Sequence, residues 1–164
     1  MPVTNLSQEV SSPVHVWAMS RRLDEIAIEL TVYCNLSCVM CSVWRGRTHG
    51  IAYDVALQTM ADARALGAVT LTPCGAETFM RRDAIDLLEQ ADAMGFESIN
   101  AVTNGLLLTA RKLDRLERLR SLHFNISIDG PREVHDALRG RGVYDRVLRV
   151  LAALQARGIS FGIL

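Results

Sequence analysis

The sequence carries no excess of either charge: Lys plus Arg and Asp plus Glu both come to 18 among 164 residues. A nucleic-acid or acidic-membrane partner would call for a basic surface, so neither is expected. Arg21–Arg22, Arg81–Arg82 and the "RGR" at 139–141 are local exceptions, and they read by default as solvated faces. No apolar run approaches the ~20 residues of a membrane-spanning helix. The opening "MPVTNLSQEV" has no basic segment leading into an apolar one, so no signal peptide is expected. No low-complexity segment or domain linker interrupts the chain. Cysteine is scarce, four in all, yet Cys34, Cys38 and Cys41 crowd into eight positions. The setting reads as cytoplasmic, where clustered thiols serve metals or catalysis more often than disulfides.

What is present is a regular alternation. Residues 1–23 carry Ser, Pro and Asn without periodicity and read as a lead-in segment. Beyond them, strand candidates at 25–32, 68–72, 97–102, 122–128 and 159–164 alternate with helical apolar spacing at about 54–66, 82–94, 109–120 and 143–157. Gly67, Gly95 and Gly158 stand where each helix hands over to a strand, the usual C-cap use of glycine. Alternating units of this kind specify an α/β fold, a parallel sheet with crossover helices, closed as a barrel or left open. The last strand candidate ends on the final residue with no helix after it. The chain therefore reads as the N-terminal part of a longer protein.

The cysteines follow the first strand with spacing Cys-x3-Cys-x2-Cys, and the C-terminal ends of parallel strands open onto the functional face. Three thiolates on one loop suit three irons of a 4Fe-4S cluster and leave the fourth for an exchangeable ligand. A zinc site completed by His49 or Cys74 is the bland alternative, and buried unreactive thiols are another.

"CNLSCVMC" (34–41) resembles the cluster-binding motif of the radical S-adenosylmethionine (SAM) superfamily. "TPCGAETF" (72–79) resembles that family's Gly-Gly-Glu-Pro signature after strand two. "VTNG" (102–105), "SIDGP" (127–131) and "HDALRGRGVYDRVLRVLAAL" (135–154) continue the likeness, toward the branch of SPASM-type maturases and molybdenum-cofactor cyclase relatives. The resemblance covers 24–164 as a core domain and implies a partial TIM-like (βα) barrel, about five parallel strands with outer helices, incomplete at its C-terminus.

It further implies an enzyme that cleaves SAM reductively and directs a 5′-deoxyadenosyl radical at a peptide or small metabolite. Electrons would come from a donor such as flavodoxin or ferredoxin. Cys34, Cys38 and Cys41 would hold the cluster. Glu77 would accept from the methionyl ammonium, and Gly75 would let the backbone approach the ligand. Ser127 or Asp129, projecting together from strand four, would meet the ribose. Met40 stands where the family usually has an aromatic residue near adenine. Thr103 and Asn104 border SAM or substrate, or make a plain "NG" turn. Arg139 would meet the SAM carboxylate. His135 reads as structural, Trp17 and Trp44 as packing residues.

Two positions depart from the family pattern. Ala76 replaces the second glycine of the signature, a small change if its φ is negative and a costly one if positive. Cys74 replaces the first and reads as a small residue at a strand end or as a redox-active thiol. A degenerate, non-catalytic relative that binds cluster or SAM is the second function class.

Overall fold

A computed structural model describes residues 23–45 and 50–164. Residues 1–22 of the expected lead-in segment, with Trp17 and Arg21–Arg22 among them, and His49 lie outside the described residues. Five strands, β1 (Glu25–Thr31), β2 (Thr70–Gly75), β3 (Ser98–Thr103), β4 (Leu122–Ile126) and β5 (Ser160–Ile163), form one parallel sheet in the order β1-β2-β3-β4-β5. A doubly wound sheet reverses its strand order at a switch point, whereas this sheet adds each strand to the same side, as the arc of a barrel does. The helices between strands are α1 (Tyr53–Ala65), α2 (Ala84–Ala93), α3 (Ala110–Leu116), α4 (Arg132–Arg139) and α5 (Val143–Ala156).

Period-two alternation divides the two faces of the sheet. Ile28, Leu30, Leu71, Ile99, Ala101, Phe124 and Ile126 are buried on the helix side. There they join Met60, Leu87, Leu88, Leu113, Val147 and Leu154 from the helices in one core. The other face carries Glu25, Glu29, Thr72, Asn100 and Asn125, none of them buried. Parallel strands covered on both sides read as continuous apolar runs; these alternate because only one face is packed. Gly67, Gly95 and Gly158 all take positive φ at the expected handovers.

Helix α4 is the element the periodicity missed. It buries only His135, so its sequence "REVHDALR" shows no apolar stripe. Strand β4 stops at Ile126, two residues short of the expected end, and Ser127 and Asp129 therefore follow the strand and do not alternate along it. The reading of Arg81 as solvated is also corrected. Its guanidinium is largely buried, donates to Leu30 O at 2.8 Å and pairs with Asp83, clamping the end of β1 to the start of α2. Among the described residues no helix is long and apolar enough to cross a membrane.

Candidate functional site

At the C-terminal ends of the strands, the segments after β1 to β4 enclose a cavity of about 130 Å³. The loop after β1 contributes Cys34, Cys38, Cys41, Leu36 and Met40; the residues just past β2, β3 and β4 contribute Ala76, Asn104 and Ser127. Val102 and Thr103 of β3 and Arg139 of α4 complete the wall. A larger groove of about 310 Å³ lies between α3 and α5 but contains no cysteine. The smaller cavity is the one with chemistry in it.

The cysteine loop is held from three sides. Val39 N donates to Leu138 O of α4 at 2.9 Å, and Trp44 Nε1 donates to Cys38 O at 3.3 Å. Asn104 Nδ2 donates to Asn35 Oδ1 at 2.8 Å, while its own Oδ1 accepts from Leu106 N at 3.0 Å. Glu77 N donates to Tyr33 O and Ala76 N to Thr31 O, both at 3.0 Å, which ties the β2 end to the loop root. Asn35 and Leu36 were not singled out from the sequence; their place inside "CNLSC" was the available signal.

All four cysteines are free thiols. Burial pushes the Cys34 thiol upward, with the Glu77 charge and the neighbouring thiols adding to it and the Leu36 N–H opposing. Burial raises Cys38 as well, against the nearby Arg139 charge. Soft thiol donors of this kind suit iron–sulfur or zinc chemistry. Among the described residues no three His, Cys, Asp or Glu side chains converge as ligands of one ion would. A cluster asks less convergence, because each thiolate takes a separate iron. Cys74, offered as a fourth zinc ligand, does not line the cavity; it sits on β2 opposite Glu29.

Glu77 is fully buried and does not line the cavity. Its Oε1 accepts from Thr103 Oγ1 at 2.7 Å and Phe79 N at 3.1 Å, and its Oε2 accepts from Asn104 N at 2.8 Å. Desolvation raises this carboxyl above its ordinary range, opposed by those hydrogen bonds and by Lys112. The side chain joins the ends of β2 and β3 behind the cavity wall, and the part of the signature that faces inward is Ala76. Among the described residues no non-glycine residue takes positive φ, so the methyl at Ala76 costs no backbone strain.

Gly75 is also not a lining residue. Its φ is +111°, and a Cβ there would lie 2.6 Å from Thr31 O and 2.7 Å from Glu29 Cγ. The close approach of β1, where the register shifts between Glu29 and Thr31, demands the glycine. Gly75→Ala is expected to destabilise the chain by about 1–3 kcal/mol from backbone strain alone. A urea titration monitored by circular dichroism reads this, and an unchanged midpoint would contradict it.

Asp129 lies behind Arg139, out of the cavity. Arg139 Nη2 donates to Asp129 Oδ1 at 3.0 Å and Nε donates to Oδ2. This guanidinium holds the Asp129 carboxyl below the usual carboxylate range. Only 15% of the Arg139 side chain is exposed, so it is a wall of the site and not a solvated loop charge.

The family model described as the radical SAM superfamily matches residues 28–164. The Fe-coproporphyrin III synthase of Methanosarcina barkeri (strain Fusaro / DSM 804) is 30% identical over 158 residues, covering 92% of this chain and 36% of that protein. The PqqA peptide cyclase of Ruegeria pomeroyi (strain ATCC 700808 / DSM 15171 / DSS-3) is 35% identical over 137 residues, covering 80% and 36%. In structure, Streptococcus suis SuiB bound to its precursor peptide SuiA superposes with a TM-score of 0.80 at 17% identity, covering 99% of this chain and 40% of that one. The chain thus spans little more than a third of the length of these two curated relatives.

Proposed function

Since this chain belongs to the radical SAM superfamily, whose members work with a 4Fe-4S cluster and SAM, we propose that its cavity is the cluster and SAM site of a peptide- or metabolite-modifying enzyme. One observation carries the reading: three free thiols from one loop share a cavity with the residues that follow β2, β3 and β4 and with Arg139. Cys34, Cys38 and Cys41 would hold the cluster, which when bound supplies the electron for reductive cleavage of SAM.

The remaining roles follow from what each wall offers. Arg139 Nη1 has no partner among the described residues, so this cation keeps donors for the SAM carboxylate after Asp129 has taken Nε and Nη2. Ala76 lines the cavity, and its small side chain leaves room for the methionyl group. Ser127 supplies a hydroxyl for the ribose, and the half-exposed Met40 offers a polarizable apolar surface for adenine. Thr103 and Asn104 line the cavity while bonding to Glu77, so Glu77 acts through them and Asp129 through Arg139. A peptide substrate is favoured by the names of the PqqA peptide cyclase and of SuiB with its precursor peptide. An electron donor such as flavodoxin or ferredoxin and a reducing cytoplasm suit the free thiols.

The test is low-temperature EPR on anaerobically reconstituted, dithionite-reduced protein, with and without SAM. The expected result is a 4Fe-4S signal whose g-values shift when SAM is added. A cluster signal indifferent to SAM would favour a non-catalytic cluster protein. Zinc in place of iron would overturn the proposal.

A further inference from the structure

Helix α4 has one residue in the core, and that residue is polar. His135 is fully buried on a helix otherwise half-buried or exposed. Its Nδ1 accepts the Asp129 backbone N–H at 3.3 Å, so Nδ1 carries no proton and the ring is the neutral Nε2–H form. The Nε2 has no hydrogen-bond partner, and the ring meets Tyr144 edge-on at 5.7 Å between centroids. A buried donor left unpaired is costly, and an apolar side chain of similar volume would avoid that cost. What histidine provides and an apolar residue does not is the acceptor at Nδ1.

That acceptor stands at the head of a chain of contacts leading to the cavity. Asp129 is followed by Gly130, with φ of +135°, and by Pro131 at the start of α4, so a turn separates it from the helix that carries Arg139. The bond to His135 fixes the backbone at Asp129. The Asp129 carboxylate then grips Arg139 through two donors, and Arg139 forms part of the cavity wall. The same Nδ1 lies 3.5 Å from Asp129 Oδ2, so the ring packs against both the backbone and the carboxylate of Asp129. The same helix end meets the cysteine loop again through Leu138 O and Val39 N. Eight-residue helices are marginal by themselves, so the seat of His135 also sets where α4 lies.

We propose that His135 is a positioning residue for SAM binding: it holds Asp129, Asp129 holds Arg139, and the relay aims the free edge of the guanidinium into the cavity. The inference rests on the reading of Arg139 as the partner of the SAM carboxylate.

A double-mutant cycle tests it, with SAM affinity of the iron-reconstituted protein as the readout and melting temperature as the control for folding. Arg139→Gln is expected to weaken SAM binding about tenfold or more, as for loss of a charge-assisted hydrogen bond. His135→Phe keeps an aromatic ring but has no acceptor, and it is expected to weaken binding several-fold. His135→Asn returns an acceptor to the place of Nδ1 and is expected to recover most of the loss. In the Arg139→Gln background, His135→Phe should have no further effect. Asp129→Asn, which leaves the backbone N–H in place, should show the same dependence on Arg139 if His135→Phe does not fold. Equal losses from His135→Phe or Asp129→Asn with and without Arg139 overturn the relay, as does normal binding in folded His135→Phe beside a weakened Arg139→Gln. Normal binding in Arg139→Gln overturns the Arg139 reading and the relay together.

Discussion

Replacement of Cys34, Cys38 or Cys41 by alanine, one at a time, should leave the reconstituted protein nearly free of iron, while Cys74→Ala keeps its full iron and sulfide content. The first three share one cavity, and a cluster tied by three thiolates has no spare donor nearby to replace a lost one. Cys74 is on β2, beside Glu29 and outside that cavity, and burial and the Glu29 charge raise its thiol. The fold should survive each change. Cys34 and Cys41 are only half-buried, and the one core cysteine, Cys38, loses a single sulfur atom, about 1 kcal/mol of packing. Iron and sulfide assays beside circular dichroism give the answer. If Cys74→Ala loses metal and Cys41→Ala does not, the donor set is wrong and a zinc site built on Cys74 returns.

The cysteine loop was legible because its signal is local. Three ligating residues within eight positions, just after an alternating apolar run, need no tertiary information. The strand and helix alternation was legible for the same reason, since each βα unit carries its own periodicity. What escaped depends on contacts between distant segments. Glu77 is the plainest case: the motif names the residue, but the direction of its carboxylate is set by Thr103 and Asn104 at the end of the next strand. Gly75 reads as room for a ligand until β1 is seen pressing on it. Helix α4 escaped because its one core residue is a histidine held by hydrogen bonding, which a pattern of apolar spacing cannot register. Arg81 read as solvent-facing for a related reason, since its acceptors, the carbonyls of Leu30 and Ile51, are 51 and 30 residues away.

These misreadings share a consequence for the site. The residues that line the cavity are those of the cysteine loop, Ala76, Val102, Thr103 and Asn104 at the end of β3, Ser127 after β4 and Arg139 of α4, while Glu77, Asp129 and His135 stand one step behind them. Sequence motifs mark both layers without separating them. The distinction matters for interpreting variants, because a change in the rear layer acts through the residue it holds and also through the stability of the fold.

Glu77→Ala should therefore be chiefly a stability variant, costing about 3–6 kcal/mol in the metal-free chain. The substitution strands the N–H groups of Phe79 and Asn104 and the hydroxyl of Thr103 in a buried place, at about 1–3 kcal/mol each. Relief of the carboxylate's own desolvation offsets part of that sum. A loss of this size is a large share of the ~5–15 kcal/mol that holds a domain together. Glu77→Gln should cost less, since its carbonyl still accepts, though its amide must face a donor where Oε1 or Oε2 stood. The comparison with glutamine also has a pH signature. Burial raises the Glu77 carboxyl in the folded state above its ordinary value of 4.5, so the folded chain holds this proton more tightly than the unfolded one. The contribution is fully present below the unfolded pKa and is lost as pH rises through the folded one. The stability of the native protein relative to Glu77→Gln should thus be greatest in acid and decline as pH rises above about 4.5. Urea titrations of both proteins across that range measure it. A Glu77→Ala chain as stable as the native protein, with only SAM binding lost, would restore Glu77 to the cavity as a direct ligand of the methionyl ammonium.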